Sequence, residues 1–177
     1  MLRIYMEELT FKEKKFLLKF CKFVLGKFLT NYAQRKAVIS IHIISTKELK
    51  AEEDKKDFKD CKAIVYDHGI VENKRKFVMN IHRDQINKRG KTDLSKFKNL
   101  LLCLAHELVH VKQYLKGELV QYKSGKCKYM GELMLEESDV IDETYWNAKY
   151  EIEAYGREHG LYTMFKKSLT KEEGKKD

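Results

Sequence analysis

Residues 106–110 read His-Glu-Leu-Val-His, a spacing of side chains that could bind a metal ion. Histidines four residues apart on a helix project from the same face, one turn above the other. Both imidazoles can therefore reach one Zn²⁺ at the usual zinc–nitrogen distance of about 2.0–2.1 Å. Glu107 follows the first histidine, where its carboxylate can accept a proton from a water molecule without binding the metal. The pattern predicts His106 and His110 as zinc ligands and Glu107 as the general base.

The residues around this motif predict that it lies on a buried helix. Residues 99–105 are apolar after the first position, the pattern continues to Leu115, and Gly117 is a plausible stop. Burying two histidines and a glutamate in such a helix is costly unless they have partners, and metal coordination supplies them. The alternative interpretation is a surface helix that matches this short motif by chance, and the apolar context disfavours it.

A catalytic zinc usually has three protein ligands and one water, so a third ligand is expected downstream. Residues 145–158 contain good helix formers and no proline, and they include Glu151 and Glu153. These glutamates are two residues apart, about 200° around a helix, so only one of them can face the metal. Helical spacing alone leaves both as candidates.

The two segments together resemble the gluzincins, metallopeptidases with HExxH on one helix and a ligand glutamate on a later helix. Their second motif is often written E-x-x-A-D, and Glu151-Ile152-Glu153-Ala154 is similar to it. The resemblance covers about residues 60–165 and includes small phage and bacterial zincin-like proteins. It implies Glu151 as the third zinc ligand, with Glu153 kept as the alternative. It departs at Tyr155, where the family has an aspartate that commonly orients a ligand histidine.

The group that would stabilise the oxyanion of a peptide-cleavage intermediate is not identified by spacing. Tyr155 and His159 are candidates for that role or for orienting a ligand histidine, and Tyr162 is a further candidate donor. His159 superficially resembles the third histidine of SprT-like proteases, but their histidine usually follows HExxH much sooner. A surface position near a helix end is the favoured interpretation of His159.

Hydrophobic spacing predicts the elements that position these residues. It indicates an amphipathic helix over residues 10–30, strands over 37–44, 63–66 and 76–82, and a hairpin over 119–130. The second and third strands are expected to be antiparallel neighbours. With the two helices of the metal site, these elements predict an α+β, zincin-like fold with a short antiparallel or mixed sheet packed on the N-terminal helix.

In a zincin-like arrangement, the strand nearest the metal is an exposed edge that can pair with a substrate peptide. Residues 77–82 are the expected edge, because they lie closest in sequence to the metal-binding helix. His68 and His82 are interpreted as surface or turn residues, because neither has a metal-ligand spacing to a partner.

Length and composition are typical of one compact domain. A chain of 177 residues, 43 % hydrophobic and 36 % charged, can bury one sizeable core and is unlike a disordered sequence. The expected zincin-like metallopeptidase domain covers residues 1–170, followed by a charged C-terminal tail over 171–177. We expect a cytoplasmic protein without a membrane partner, because no signal peptide or spanning segment is visible and the four cysteines lack paired spacing.

The net charge of +9 favours acidic partners such as nucleic acid, although no recognised nucleic-acid-binding motif accompanies it. The sequence leaves the oligomeric state open. The leading hypothesis is a zinc-dependent metallopeptidase with a peptide or protein substrate. The alternative is a catalytically inactive binding protein that keeps a zinc-stabilised zincin fold and a basic surface suited to nucleic acid. Both predict zinc, so turnover is the property that separates them.

Overall fold

The computed structural model describes residues 3–6, 10–44, 63–83, 93–122, 126–134 and 147–173. These residues form four helices and two small sheets, a mixed α+β architecture. The helices are α1 (Phe11–Gly26), α2 (Asn31–Arg35), α3 (Asp93–Lys116) and α4 (Lys149–Glu173). The strands are β1 (Arg3–Met6), β2 (Ala37–Ile44), β3 (Ala63–Val71), β4 (Lys74–His82), β5 (Leu119–Gln121), β6 (Cys127–Tyr129) and β7 (Glu132–Leu133). None of the helices in these ranges is long and apolar enough to cross a bilayer.

The larger sheet is mixed, with strand order β1-β2-β4-β3. β1 and β4 both pair with β2 in parallel, whereas β3 and β4 are antiparallel neighbours, as predicted. The prediction that residues 77–82 form the edge was wrong, because β4 pairs with β2 on one side and β3 on the other. Among the described strands, β3 is the edge strand that contacts α3. His82 is buried at the end of this central strand, which corrects its interpretation as a surface or turn residue.

The core forms where the apolar stripes of the helices meet each other and the sheet. The predicted amphipathic helix is confirmed, although it ends at Gly26 rather than at residue 30. Thr10 caps α1 through a capping box with Glu13, and the helix buries five residues, Leu17, Phe20, Cys21, Val24 and Leu25. α1 packs against α3 and α4, and α3 in turn packs against β3 and β4. The helix that carries the HExxH motif therefore lies inside the domain, which explains its apolar sequence.

α3 ends at Lys116, six residues after the motif, and a left-handed glycine follows it. Gly117 has φ of 68°, and its N–H donates to the Tyr114 carbonyl at 3.1 Å. The next N–H, from Glu118, donates to the Gln113 carbonyl at 2.8 Å, which completes a Schellman motif. The chain then turns directly into β5, which pairs with β6 in the predicted hairpin, although residues 123–125 lie outside the described ranges.

α4 is the predicted ligand helix, but it begins later and runs further than expected. It starts at Lys149 rather than at residue 145, and residues 145 and 146 lie outside the described ranges. It continues to Glu173, three residues into the segment predicted as a tail, and residues 174–177 are not described. Ala154 is completely buried where α4 packs against α3, so its small side chain allows close approach of the two helices.

Candidate metal centre

α3 and α4 bring His106, His110 and Glu151 to one buried point, where each residue is at most 7 % exposed. Nε2 of His106 lies 3.1 Å from Nε2 of His110 and 3.1 Å from Oε2 of Glu151. Nε2 of His110 lies 3.5 Å from Oε1 of Glu151. Ligand atoms around a tetrahedral zinc at about 2.1 Å are about 3.4 Å apart, so each histidine lies at about this spacing from one oxygen of Glu151.

The two candidate glutamates of α4 point in different directions, as their 200° separation requires. Glu151 contacts both histidines, whereas the Glu153 carboxylate accepts hydrogen bonds from four other side chains. The donors, with their distances, are Lys112 Nζ at 2.7 Å, Arg157 Nε at 2.8 Å, Gln113 Nε2 at 2.9 Å and the Tyr129 hydroxyl at 3.1 Å. The cluster that can hold a metal therefore includes Glu151 and not Glu153.

The second ring nitrogen of each histidine faces an acceptor that was not predicted from the sequence. Nδ1 of His106 lies 3.4 Å from Oε2 of Glu158, an ion-pair distance. Nδ1 of His110 lies 2.8 Å from Oε1 of Gln113. Glu158 follows Glu151 by seven residues, two turns along the same face of α4, and Gln113 follows His110 by three. These spacings are the only signals that could have identified them.

Of the three candidate oxyanion donors, Tyr155 is the one that the structure brings to a ligand histidine. Its ring lies edge-on to His106 with centroids 4.3 Å apart, and the side chain is 36 % exposed. His159 is at the surface, 67 % exposed, and contacts the far oxygen of Glu158 at 3.8 Å. Tyr162 lies beside Lys98 and Lys166. The predicted surface position of His159 agrees with the structure, but the expected helix end was wrong, because His159 lies in the middle of α4.

Charges within the cluster shift the pKa values of all three predicted ligands. Burial alone would raise the pKa of Glu151, but the hydrogen bonds from His106 and His110 outweigh it and hold this pKa at about 2. Burial would lower the pKa of His106, yet its contacts with Glu151 and Glu158 raise it to about 9. The pKa of His110 is also raised, because the same Glu151 contact and the charge of Glu107 outweigh burial. The cluster thus places a carboxylate between two basic imidazoles.

Glu107 lies beside the histidines but is not one of the converging ligands. It is only 5 % exposed, and burial raises the pKa of its carboxyl against the opposing influence of the two histidines. It also accepts a hydrogen bond from the backbone N–H of Val65, on the edge strand β3. A buried carboxylate with a raised pKa is suited to accepting a proton near neutral pH.

No family model matches this chain, and no curated protein matches it. The residues of the site themselves indicate its chemistry. Two imidazoles and one carboxylate are the ligand set of catalytic zinc sites with an open position, and also of some iron(II) sites.

Proposed function

We propose that the protein is a zinc-dependent metallopeptidase of the gluzincin type with a zincin-like fold. The observation that carries the proposal is the convergence of His106, His110 and Glu151 at separations of 3.1–3.5 Å. These residues would hold zinc through two nitrogens and one carboxylate and leave a fourth position open to water. Zinc bound there would acidify that water and polarise the carbonyl of a substrate peptide.

The remaining groups of the site would move protons and hold the substrate. Glu107 would take the proton of the attacking water and pass it to the leaving amine. Its burial keeps the carboxylate out of bulk water, and the Val65 N–H fixes its position against β3. Tyr155, whose ring contacts His106, is the proposed donor to the oxyanion.

The edge strand supports a peptide rather than a small molecule as the substrate. Hydrogen-bonding groups of successive residues alternate between the two sides of an antiparallel strand. The Val65 N–H donates to Glu107, so it marks the side of β3 that faces the motif. An extended peptide added on that side would pair with main-chain groups of β3 and pass beside the predicted ligands.

Nucleic acid as a partner and the cytoplasm as the compartment stay predictions.

The experiment that tests this function compares wild type with Glu107→Gln on a mixed library of fluorogenic peptides. The variant keeps the side chain's size but cannot accept a proton, so turnover should fall by roughly 10²-fold or more. Zinc content and the circular dichroism spectrum should not change, because Glu107 is not a ligand. Glu132→Gln is the matched control, since Glu132 is exposed and pairs with Lys149 away from the cluster.

Two results would contradict the proposed function. Equal turnover by the Glu107→Gln variant and wild type would exclude Glu107 as the general base. No turnover by either protein, across peptides, folded proteins and protein–DNA adducts, would favour the catalytically inactive binding protein instead.

A further inference from the structure

Gln113 is completely buried on α3, and its side-chain amide connects a predicted zinc ligand to the ligand helix. Its Oε1 lies 2.8 Å from Nδ1 of His110. Its Nε2 lies 3.0 Å from the carbonyl oxygen of Tyr150 and 2.9 Å from Oε2 of Glu153. The contact with His110 lies within α3, and the other two join α3 to α4. Both ends of the amide group are therefore held in place.

The chemistry of these partners determines which way the amide points. A backbone carbonyl and a carboxylate only accept hydrogen bonds, so the NH₂ group of Gln113 must face Tyr150 and Glu153. The amide oxygen must then face His110, where it can only accept. His110 therefore carries a proton on Nδ1, and Nε2 is the ring nitrogen that faces His106 and Glu151 and that a cation would use.

We propose that Gln113 is a positioning residue that holds His110 in the tautomer and orientation needed to bind a divalent cation through Nε2. The inference rests on the proposed function only in requiring that the cluster binds such a cation. Groups that hydrogen-bond the second nitrogen of a ligand histidine commonly change metal affinity by about 10–100-fold when they are removed. Gln113 should therefore affect zinc affinity although it never touches the metal.

Glu153 holds the Gln113 amide through a carboxylate whose two oxygens accept hydrogen bonds from different kinds of donor. Oε1 accepts from the cations of Lys112 and Arg157, whereas Oε2 accepts from the neutral groups of Gln113 and Tyr129. An amide at this position could keep an oxygen toward the cations and turn its NH₂ toward residue 113. Exchanging the two residues, by Gln113→Glu together with Glu153→Gln, therefore leaves the net charge of this hydrogen-bonded group unchanged.

The first test measures the zinc dissociation constant by competition with a chromogenic chelator. Gln113→Met keeps an unbranched side chain but removes the amide, and it should weaken zinc binding by about 10–100-fold. Gln34→Met is the matched control, because Gln34 is a half-buried amide that also donates to a backbone carbonyl, that of Leu29, at 3.0 Å. The control should bind zinc like wild type.

The second test uses the exchange of the two residues and does not depend on the fate of Gln113→Met. Gln113→Glu alone places a carboxylate against Glu153 and the Tyr150 carbonyl, so zinc affinity and the melting temperature should both fall. Adding Glu153→Gln restores a donor toward position 113, and the double variant should recover at least about tenfold in zinc affinity over the single variant. Nitrogen-15 NMR of zinc-loaded wild type should show that His110 keeps its proton on Nδ1.

The outcomes separate this inference from the proposed function. Wild type that binds zinc, together with Gln113→Met of equal affinity or a double variant no tighter than the single one, would overturn the role of Gln113 alone. A His110 proton on Nε2 in the zinc-loaded protein would do the same. Wild type that binds no divalent cation would overturn the proposed function, and this inference with it.

Discussion

Zinc binding should release protons and become tighter as the pH rises, because the predicted ligands are basic in the metal-free protein. The pKa of His106 is raised to about 9 by Glu151 and Glu158 against the opposing effect of burial, whereas zinc binds only a neutral imidazole. Below that pKa, zinc has to displace a proton from His106. Above it, no proton is displaced from His106, so the contribution of His106 to the pH dependence should disappear.

The size of the effect follows from the titration of His106. With a pKa of about 9, only about one molecule in 100 carries a neutral His106 at pH 7. The apparent zinc affinity should then be about 100-fold weaker at pH 7 than above pH 9, changing about tenfold per pH unit for each proton released. The pKa of His110 is raised as well, so protons displaced from His110 add to the one from His106. Glu151 adds none, because its pKa of about 2 keeps it ionised throughout.

Calorimetric titration with zinc at pH 7, in two buffers of different ionisation enthalpy, counts these protons directly. The same titration from pH 6.5 to 9 gives the slope of affinity against pH. His159→Ala is the control for an unrelated histidine, since His159 is exposed and outside the cluster, and it should release the same number of protons. Zinc binding without proton release, at an affinity constant between pH 6.5 and 8.5, would refute the reasoning.

The other predictions concern the third ligand and the core. Glu151→Ala should weaken zinc binding by more than about 100-fold. Glu153→Ala keeps all three predicted ligands, so its loss of zinc affinity should stay within the roughly 10–100-fold that is typical when a group supporting a ligand is removed. Chelator competition measures both, and the reverse ranking would identify Glu153 as the ligand. Phe165→Ala should lower the free energy of unfolding by about 3–5 kcal/mol in urea denaturation, because its ring is completely buried against Phe20. Phe11→Ala, at an 81 % exposed site, should change it by less than about 0.5 kcal/mol; a similarly small loss for Phe165→Ala would contradict the packing.

Local periodicity predicted the longer helices and strands, because it records which face of an element is buried, but the short elements β1 and α2 were not predicted. The apolar residues of α1 are buried along one face of the helix, and the residues of β2 alternate between buried and partly buried. The sheet order was not predictable in the same way. Whether β4 lies at an edge depends on its pairing with β2, more than thirty residues earlier in the chain, and not on its own residues. The edge was therefore assigned to the wrong strand of the β3–β4 pair.

In the candidate site, too, spacing within one helix was predictable from the sequence, whereas contacts between helices were not. Helical spacing brings His106 and His110 to one face and separates Glu151 from Glu153, but it does not say which glutamate faces α3. The resemblance to the gluzincins favoured Glu151, and the crossing of α3 and α4 places Glu151 with the histidines. Glu158 was missed because its contact with His106 depends on that crossing, although its seven-residue spacing from Glu151 put both on one face.

The central claim is that His106, His110 and Glu151 form a zinc site, and metal content measures it most directly. Protein purified from metal-replete medium should contain about one zinc per chain by inductively coupled plasma mass spectrometry. His106→Ala and His110→Ala should each lose it, since either change leaves two of the three ligands. Wild-type protein that contains no zinc and takes up none on addition, or histidine variants that keep a full equivalent, would contradict the claim.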